Sequence, residues 1–322
     1  VKEKPALDIP LEKYNSPAFK NVVCTGVLAW NDGRKMSKSL GNYPDPKDTM
    51  IALWWDALRM NFATSPIVVW WDTNISEESI KEIYKKTILP LWNSYYFFTT
   101  YSQIDSFKPD ASVSLQDVIH NDRLQDFKNP LDTWMLVKTM KLVNTVNEQL
   151  ALYNMQTSST ALISFMEDLT NWYIRRPRRR FWESGEWANM GEGKKDAYIV
   201  LYRVLTEFCL IAAPFMPFIT EYIYKKLTWK ESVHLEEIVT YDDSLIAKYD
   251  LQIEAMELTK KIVSLGLSLR WQKKIRVKQP LQKVILSRGV VFSDHDISNT
   301  VYHDMIKDEL NVKEIVIDST ME

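Results

Sequence analysis

Apolar side chains recur every three or four residues through most of the stretch from Ser76 to residue 230. No other feature of this 322-residue chain constrains its fold so tightly. Ile80, Ile83, Tyr84, Ile88, Leu91 and Trp92 form one stripe, which predicts a helix from Ser76 to about Ser102, kinked at Pro90. Leu131, Trp134, Met135, Val137, Leu142, Val146 and Leu150 form a second, opened by Asn129-Pro130 with proline in the first turn. Leu162, Phe165, Leu169, Trp172 and Tyr173 form a third, with Ser158 or Ser159 as its cap. Two more helices are expected, over Lys194 to Ala213 and from Pro217 to about Leu227. Each stripe needs an apolar partner, and short connections place one in the neighbouring helix. Residues 76–230 are therefore expected to form an antiparallel bundle.

Around the bundle the pattern changes. Asn21 to Trp30 is apolar and β-branched and reads as a strand or hairpin, with a turn at Asn31-Asp-Gly33. A helix is expected from Pro46, capped by Asp45, to about Thr64. Leu251 to Trp271 reads as another helix. Leu281 to Ser287 and Val312 to Asp318 read as strands around a helix over Asn299 to Leu310, a small α/β unit. The whole is read as mainly α, in four parts: 1–46, a connecting segment 47–75, the bundle 76–230, and a helix with the α/β unit over 231–322. Only 8 glycines are present, which argues against a complete Rossmann enzyme or a β-sandwich, both rich in tight turns.

The formal net charge of −2 conceals two basic blocks. Asn171 to Trp182 holds five arginines and no acid, and Lys260 to Lys283 holds eight Lys or Arg and no acid. Charge segregated in this way suits a polyanionic partner, although a solvated basic face is the competing reading. In the first block Arg175, Arg176, Arg178, Arg179, Arg180 and Trp182 are candidates for RNA contact, since arginine pairs with phosphate and exposed aromatics stack on unpaired bases. The competing reading pairs these arginines with Glu167, Asp168 or Glu183 and puts Trp172 in the core. In the second block Arg270, Lys273, Lys274 and Arg276 are the candidates. Cys24 and Cys209 form no CxxC pair, so neither a zinc site nor a disulfide framework is indicated. A reducing cytoplasm is the expected compartment, a monomer the expected state, and no membrane span or metal site is expected. Asp242 and Asp243 lack a third ligand at useful spacing.

The sharpest motif is Gly33-Arg-Lys-Met-Ser-Lys-Ser-Leu-Gly-Asn42. Two lysines three apart, two hydroxyls and free backbone amides between flanking glycines suit a phosphate chain. They would stabilise charge developing on a leaving pyrophosphate, and a mobile loop could close once the nucleotide binds. The string resembles the Lys-Met-Ser-Lys-Ser loop of class I aminoacyl-tRNA synthetases, matched at all five positions. The resemblance continues through Asp56-Ala-Leu-Arg59, Leu89-Pro-Leu-Trp-Asn-Ser94, Glu167-Asp-Leu-Thr-Asn-Trp-Tyr-Ile-Arg-Arg176, Ala213-Pro-Phe-Met-Pro-Phe-Ile-Thr-Glu221 and Asp308-Glu-Leu-Asn-Val-Lys-Glu314, over roughly residues 17–318. Valyl and leucyl enzymes share the loop. Trp-Tyr-Ile-Arg-Arg and Asp-Glu-Leu-Asn-Val favour the isoleucyl branch.

That resemblance implies several things. Lys38 would contact the ATP phosphates during amino-acid activation, with Lys35 as a weaker companion and Met36, Ser37 and Ser39 completing the ATP-binding loop. Substrates would be isoleucine and ATP, with Mg2+, and tRNA(Ile) would be the partner, gripped by the helical bundle. The family's His-Ile-Gly-His string is absent from this sequence, as are its zinc and editing insertions. Residues 1–46 are accordingly read as a remnant of the Rossmann-like catalytic domain, and the chain by itself is expected to be inactive. A fragment of a valyl enzyme, or a non-catalytic tRNA-binding module of synthetase descent, are the other readings. The sequence departs from the family at Trp54-Trp55, where Gly-Ala is usual, and at Val69-Trp-Trp-Asp72.

Overall fold

The computed structural model describes residues 21–30, 33–37, 39, 41–43, 45–109, 115, 124, 127, 129–176, 178–182, 191–287 and 299–318. The first strand, β1 (Leu28–Ala29), lies parallel to β2 (Thr73–Asn74), so only two residues of the apolar Asn21–Trp30 stretch become strand. The helix expected over 46–64 is two helices, α1 (Pro46–Leu53) and α2 (Trp55–Thr64). Asp45 caps α1, accepting from the Lys47 amide at 2.7 Å. Trp54 separates the two helices with φ at 68° and ψ at 130°, outside any helical region.

The next helix, α3 (Glu77–Ile83), opens on a reciprocal capping box between Ser76 and Ser79. A π turn at Tyr84–Ile88 leads into α4 (Leu89–Ile104). The irregularity thus lies in the turn just before Pro90, which continues the helix from Ile88 and Leu89 without a break and has no N–H to give to the ladder there. Asn129 caps α5 (Pro130–Ala151) through the Leu131 amide, as its sequence suggests. The next helix, α6 (Met155–Asp168), starts earlier than its serines imply: Asn154 is the cap, accepting from Thr157 N. Ser158 and Ser159 are buried inside the helix, and their hydroxyls return to the Asn154 and Gln156 carbonyls. A second π turn, Leu169–Ile174, follows directly, then α7 (Arg178–Trp182), α8 (Glu192–Ala212) and α9 (Pro217–Thr228).

The core is where these stripes meet: α5 packs on α6 and α8, α8 on α9, and α2 on α6. Trp134, Tyr173, Tyr198 and Phe208 are each fully enclosed, and Phe165 stacks on Phe208 at 5.7 Å between ring centres. Burying side chains of this size stabilises the fold by roughly 1.5–3 kcal/mol each. Beyond a short helix α10 (Asp243–Ala247), α11 (Asp250–Gln272) lies against α5. It leads to β3 (Leu281–Ser287), α12 (Asn299–Leu310) and β4 (Val312–Asp318). β3 and β4 pair in parallel from Leu281 with Val312 to Ser287 with Asp318; parallel pairing needs a crossover, and α12 lies within it. Gly266 lets α11 approach α12 closely, because a Cβ there would run into the Leu310 side chain.

Candidate functional site: the lysine loop and the basic faces

The lysine loop is built onto β1. Lys35 pairs antiparallel with Ala29, Met36 N donates to the Leu28 carbonyl at 3.1 Å, and Gly33 N donates to the Trp30 carbonyl at 2.7 Å. Gly33 turns with φ at 70°, a left-handed conformation that glycine adopts without strain. β1 is fixed in turn by the 65–75 segment: Thr73 N donates to Val27 O at 3.1 Å and Ile75 N to Ala29 O at 2.9 Å. Gly26 permits this contact, since any Cβ there would collide with the Trp71 carbonyl.

At the far end of the loop, Asn42 acts as a clamp. Its Oδ1 accepts from Ser37 N at 3.0 Å and its Nδ2 donates to Lys35 O at 3.3 Å. The Ser37 and Ser39 hydroxyls stand 2.7 Å apart, and Gly41, at φ 56°, donates to Ser37 O. Lys35 and Ser39 are exposed, whereas Met36 packs against the core. An exposed ammonium and paired hydroxyls on a backbone held at both ends can meet an anion arriving from solvent. Lys38 lies outside the described residues. Asn42 stands in the string as one polar residue among several, and its clamping role depends on a turn that brings it back to Ser37.

Asp56 and Arg59, from the Asp-Ala-Leu-Arg string, tie this segment to the bundle. Asp56 is buried at the start of α9, where its oxygens accept from Phe218 N at 3.2 Å and Ile219 N at 2.7 Å. Arg59 donates to the Pro214 carbonyl at 2.9 Å. Burial raises the Asp56 carboxyl above its ordinary range, against the lowering effect of those two amides and of Arg59.

The first basic block divides by burial. The Arg180 guanidinium donates two bonds, at 2.7 and 2.8 Å, to Asp132, whose side chain is wholly enclosed and also accepts from the Tyr173 hydroxyl at 2.7 Å. Burial works against the Arg180 charge, yet the Asp132 carboxylate keeps the guanidinium firmly protonated. Arg176 is also largely enclosed, donating to Glu309 at 3.0 Å and to the Met305 carbonyl at 3.2 Å. Arg175 reaches the other Glu309 oxygen at 2.6 Å with its side chain still 55% exposed. Among the described residues, the acids that pair with this block are Asp132, Asp308 and Glu309, and none of them is near it in sequence. Trp182 is exposed and donates from Nε1 to the Tyr101 hydroxyl at 2.9 Å. The Arg178 and Arg179 side chains lie outside the described set.

The second block divides in the same way. Arg270 is buried, and its guanidinium donates to four carbonyls, of Arg276, Gln279, Leu310 and Asn311. It closes the C-terminal end of α12 and the turn before β3. Lys273, Lys274 and Arg276 are exposed or half-buried beyond the end of α11. Lys260 lies inward, between Asp168 at 2.5 Å and Glu257 at 2.9 Å, beside Lys138, which reaches the same two acids at 2.9 Å. Both ammonium groups lie about 6 Å from the Trp134 ring centre. Asp242 and Asp243 have structural partners: Asp242 caps α10 through Ser244 N, and Asp243 accepts from the Asn144 amide. Among the described residues no group of three His, Cys, Asp or Glu could hold a metal ion, and no helix is long and apolar enough to cross a membrane.

Residues 132–285 match the family described as the anticodon-binding domain of tRNA ligase, and residues 7–76 match tRNA synthetases class I (I, L, M and V). The second match begins at residue 7, upstream of where the motif resemblance starts. A curated isoleucine–tRNA ligase of Treponema denticola is 38% identical over 94% of this chain and 27% of its own length. The isoleucine–tRNA ligase of Chlamydia caviae is 37% identical over 94% of this chain and 28% of its own. The chain thus spans about a quarter of the length of these relatives. A solved LeuRS chain of Agrobacterium radiobacter K84, from a ternary complex with tRNA and LeuAMS, aligns with 69% of this chain and 24% of that one, at 18% identity and a TM-score of 0.48. The chain thus carries a segment of the class I tRNA synthetases, with the lysine string held on β1, and an anticodon-binding domain of tRNA ligase, and its sequence is similar to the isoleucine–tRNA ligases along nearly its whole length.

Proposed function

We propose that this chain works as part of an isoleucine–tRNA ligase in the cytoplasm, supplying the ATP-phosphate loop and the surface that grips tRNA(Ile). The 38% identity along 94% of the chain carries this reading. The division into 1–46, 47–75, 76–230 and 231–322 belongs to the same proposal, as does a monomeric state. In the reaction, the isoleucine carboxylate attacks the α-phosphate of ATP, the bond to the β-phosphate breaks, and pyrophosphate leaves. The aminoacyl group then passes to the 3′ end of the tRNA.

Lys35 and Lys38 would meet the negative charge that grows on the departing phosphates, and the Ser37 and Ser39 hydroxyls would donate to their oxygens. Positioning and charge stabilisation are what the protein contributes to such chemistry. The Asn42 clamp supports this, because it holds the Lys35 and Ser37 backbone in place. Mg2+ would accompany ATP, but the described residues offer it no acidic cluster, and no step is assigned to it.

Among the candidates for phosphate contact, exposure favours Lys273, Lys274 and Arg276, with Trp182 available for stacking; Arg175 is exposed but already paired with Glu309. Arg176, Arg180 and Arg270 remain in the proposal only through their neighbours, since each guanidinium holds protein groups. Two measurements test the reading. The chain alone should bind tRNA(Ile) with a steep salt dependence and show no isoleucine-dependent ATP–pyrophosphate exchange. Exchange by the chain alone would overturn the expected division of labour, and absence of tRNA binding at low salt would overturn the gripping role.

A further inference from the structure

Helix α4 carries no charged residue in its 16 positions, and its sequence holds Trp92, Tyr95, Tyr96, Phe97, Phe98 and Tyr101. A helix apolar on every side is ordinarily buried on every side. Trp92 and Tyr96, four residues apart and so on one face of α4, are nevertheless exposed. Two neighbouring helices extend that face. The ring centre of Tyr222, on α9, lies 5.8 Å from that of Trp92 and 6.4 Å from that of the half-buried Tyr95. Phe218, one turn before Tyr222, stands 6.4 Å from Trp55 at the start of α2. Phe218 is 61% exposed and Tyr96 63%. With Trp55, Trp92 and Tyr222 they leave roughly 500 Å² of aromatic surface in solvent, a patch of a size that is often functional. Charges stand at its edges: Arg59 donates to the Pro214 carbonyl, Glu221 pairs with Lys225 at 3.7 Å, and Lys226 lies one turn past Tyr222. Among the described residues, no hydrogen bond engages the Trp55, Trp92, Tyr96 or Tyr222 side chains. An indole N–H can only donate, and a phenol hydroxyl donates readily. The face therefore suits a ligand that is uncharged, rich in acceptors and poor in donors.

We propose that this face docks a proline-rich segment of a partner protein in the polyproline II conformation, its rings packed on Trp55, Phe218, Tyr222 and Trp92 and its carbonyls accepting from the indoles and hydroxyls. Proline has no N–H, and a polyproline II helix makes no internal hydrogen bonds, so every carbonyl stays open to a donor. Such segments dock on aromatic-lined surfaces because they arrive already extended and lose little entropy. The ring-to-ring steps of 6.4 and 5.8 Å match the ~6.2 Å that two of its residues span, so successive rings meet the segment two residues apart. The competing occupants fit less well. An amphipathic α-helix has its carbonyls bonded internally and offers almost none to these donors. A nucleic acid brings a phosphate with every nucleotide, and α4 has no cation to meet one. The inference stands apart from the reading of the chain as part of a ligase.

The test titrates fluorescein-labelled decaproline with the whole 322-residue chain and follows fluorescence anisotropy, beside a Gly-Ser peptide of equal length. Decaproline should bind and the Gly-Ser peptide should not. Phe218 and Tyr222 are exposed, so Phe218→Ala and Tyr222→Phe leave the core intact. Phe218→Ala should weaken binding by about tenfold, as the loss of an aromatic anchor does. Tyr222→Phe keeps the ring and removes one donor, and should cost about fivefold. Salt should change the affinity little, since no ion pair is involved. The inference falls if decaproline does not bind at about 1 mM, a concentration at which even a weak site fills. It falls equally if both variants bind as the parent chain does, or if the Gly-Ser peptide binds as well as decaproline. Displacement of the peptide by single-stranded oligouridine, as readily as by unlabelled decaproline, would make the face a nucleic-acid surface and overturn the proposal.

Discussion

Asp56 lies 163 residues before Ile219 in sequence, yet its carboxylate accepts the Ile219 amide at 2.7 Å and so caps a helix to which it does not belong. Met216, at the cap position of α9, contributes no side-chain bond, and Pro217 has no N–H to satisfy. The amides left over are those of Phe218 and Ile219, and Asp56 takes both. This bond pair joins the segment that follows the lysine loop to the bundle core.

Asp56→Ala is expected to destabilise the chain by about 2–3 kcal/mol, the loss of a cap with two amides left unpaired near the core. Asp56→Asn should recover about half of that, since one carbonyl oxygen remains. Urea unfolding followed by circular dichroism measures both, and a loss under about 0.5 kcal/mol for the alanine variant would show that the cap is dispensable.

Arg180 and Asp132 form a buried pair, so breaking one side strands the other. Arg180→Met should cost about 3–5 kcal/mol. Adding Asp132→Leu together with Tyr173→Phe in the same chain should restore much of it, because the stranded charge and the hydroxyl that bonds it are removed together. If Arg180→Met instead left stability intact and weakened tRNA binding, the guanidinium would be an RNA contact and its bidentate bond incidental.

Trp54 occupies a backbone conformation that only glycine adopts freely, at φ 68° and ψ 130°. Strain of this kind costs on the order of 1–3 kcal/mol. The side chain is half exposed and loses little beyond its contact with the Tyr84 ring. Trp54→Gly should therefore leave stability unchanged or raise it by up to about 1 kcal/mol. A fall in thermal midpoint would contradict this.

Glu257 carries a pH dependence. Partial burial pushes its carboxyl up, but hydrogen bonds from Lys138 and Lys260 outweigh this and bring it below the ordinary value of 4.5. The folded chain thus holds this proton less tightly than the unfolded chain. Its stabilisation is present above pH 4.5 and is lost as pH falls below that value. Glu257→Gln should flatten the decline in unfolding free energy between about pH 6 and pH 3. An unchanged slope would place the dependence on other acids.

Local rules determined much of this protein from sequence alone. The stripe of α5, the helices α8 and α9, the Asn129 and Asp45 caps and the β3–α12–β4 unit follow from periodicity and capping, which act within a few residues. The lysine string identified the family because five side chains and two glycines in one order carry their meaning without tertiary context. Other features depended on contacts that no local pattern encodes. Two π turns interrupt helices that periodicity draws as continuous. Trp54 breaks a helix without proline or glycine to announce it. The basic blocks look equally available in sequence, yet folding divides them. Glu309, Asp132 and Asp168 arrive from distant helices and pair with Arg175 and Arg176, Arg180 and Lys260, while Lys261, Lys273 and Lys274 keep exposed side chains. Where the charge lies is written in the order of residues; only the packing of helices from opposite ends of the chain decided which charges remain for a partner, because an ion pair forms through space and not along the backbone.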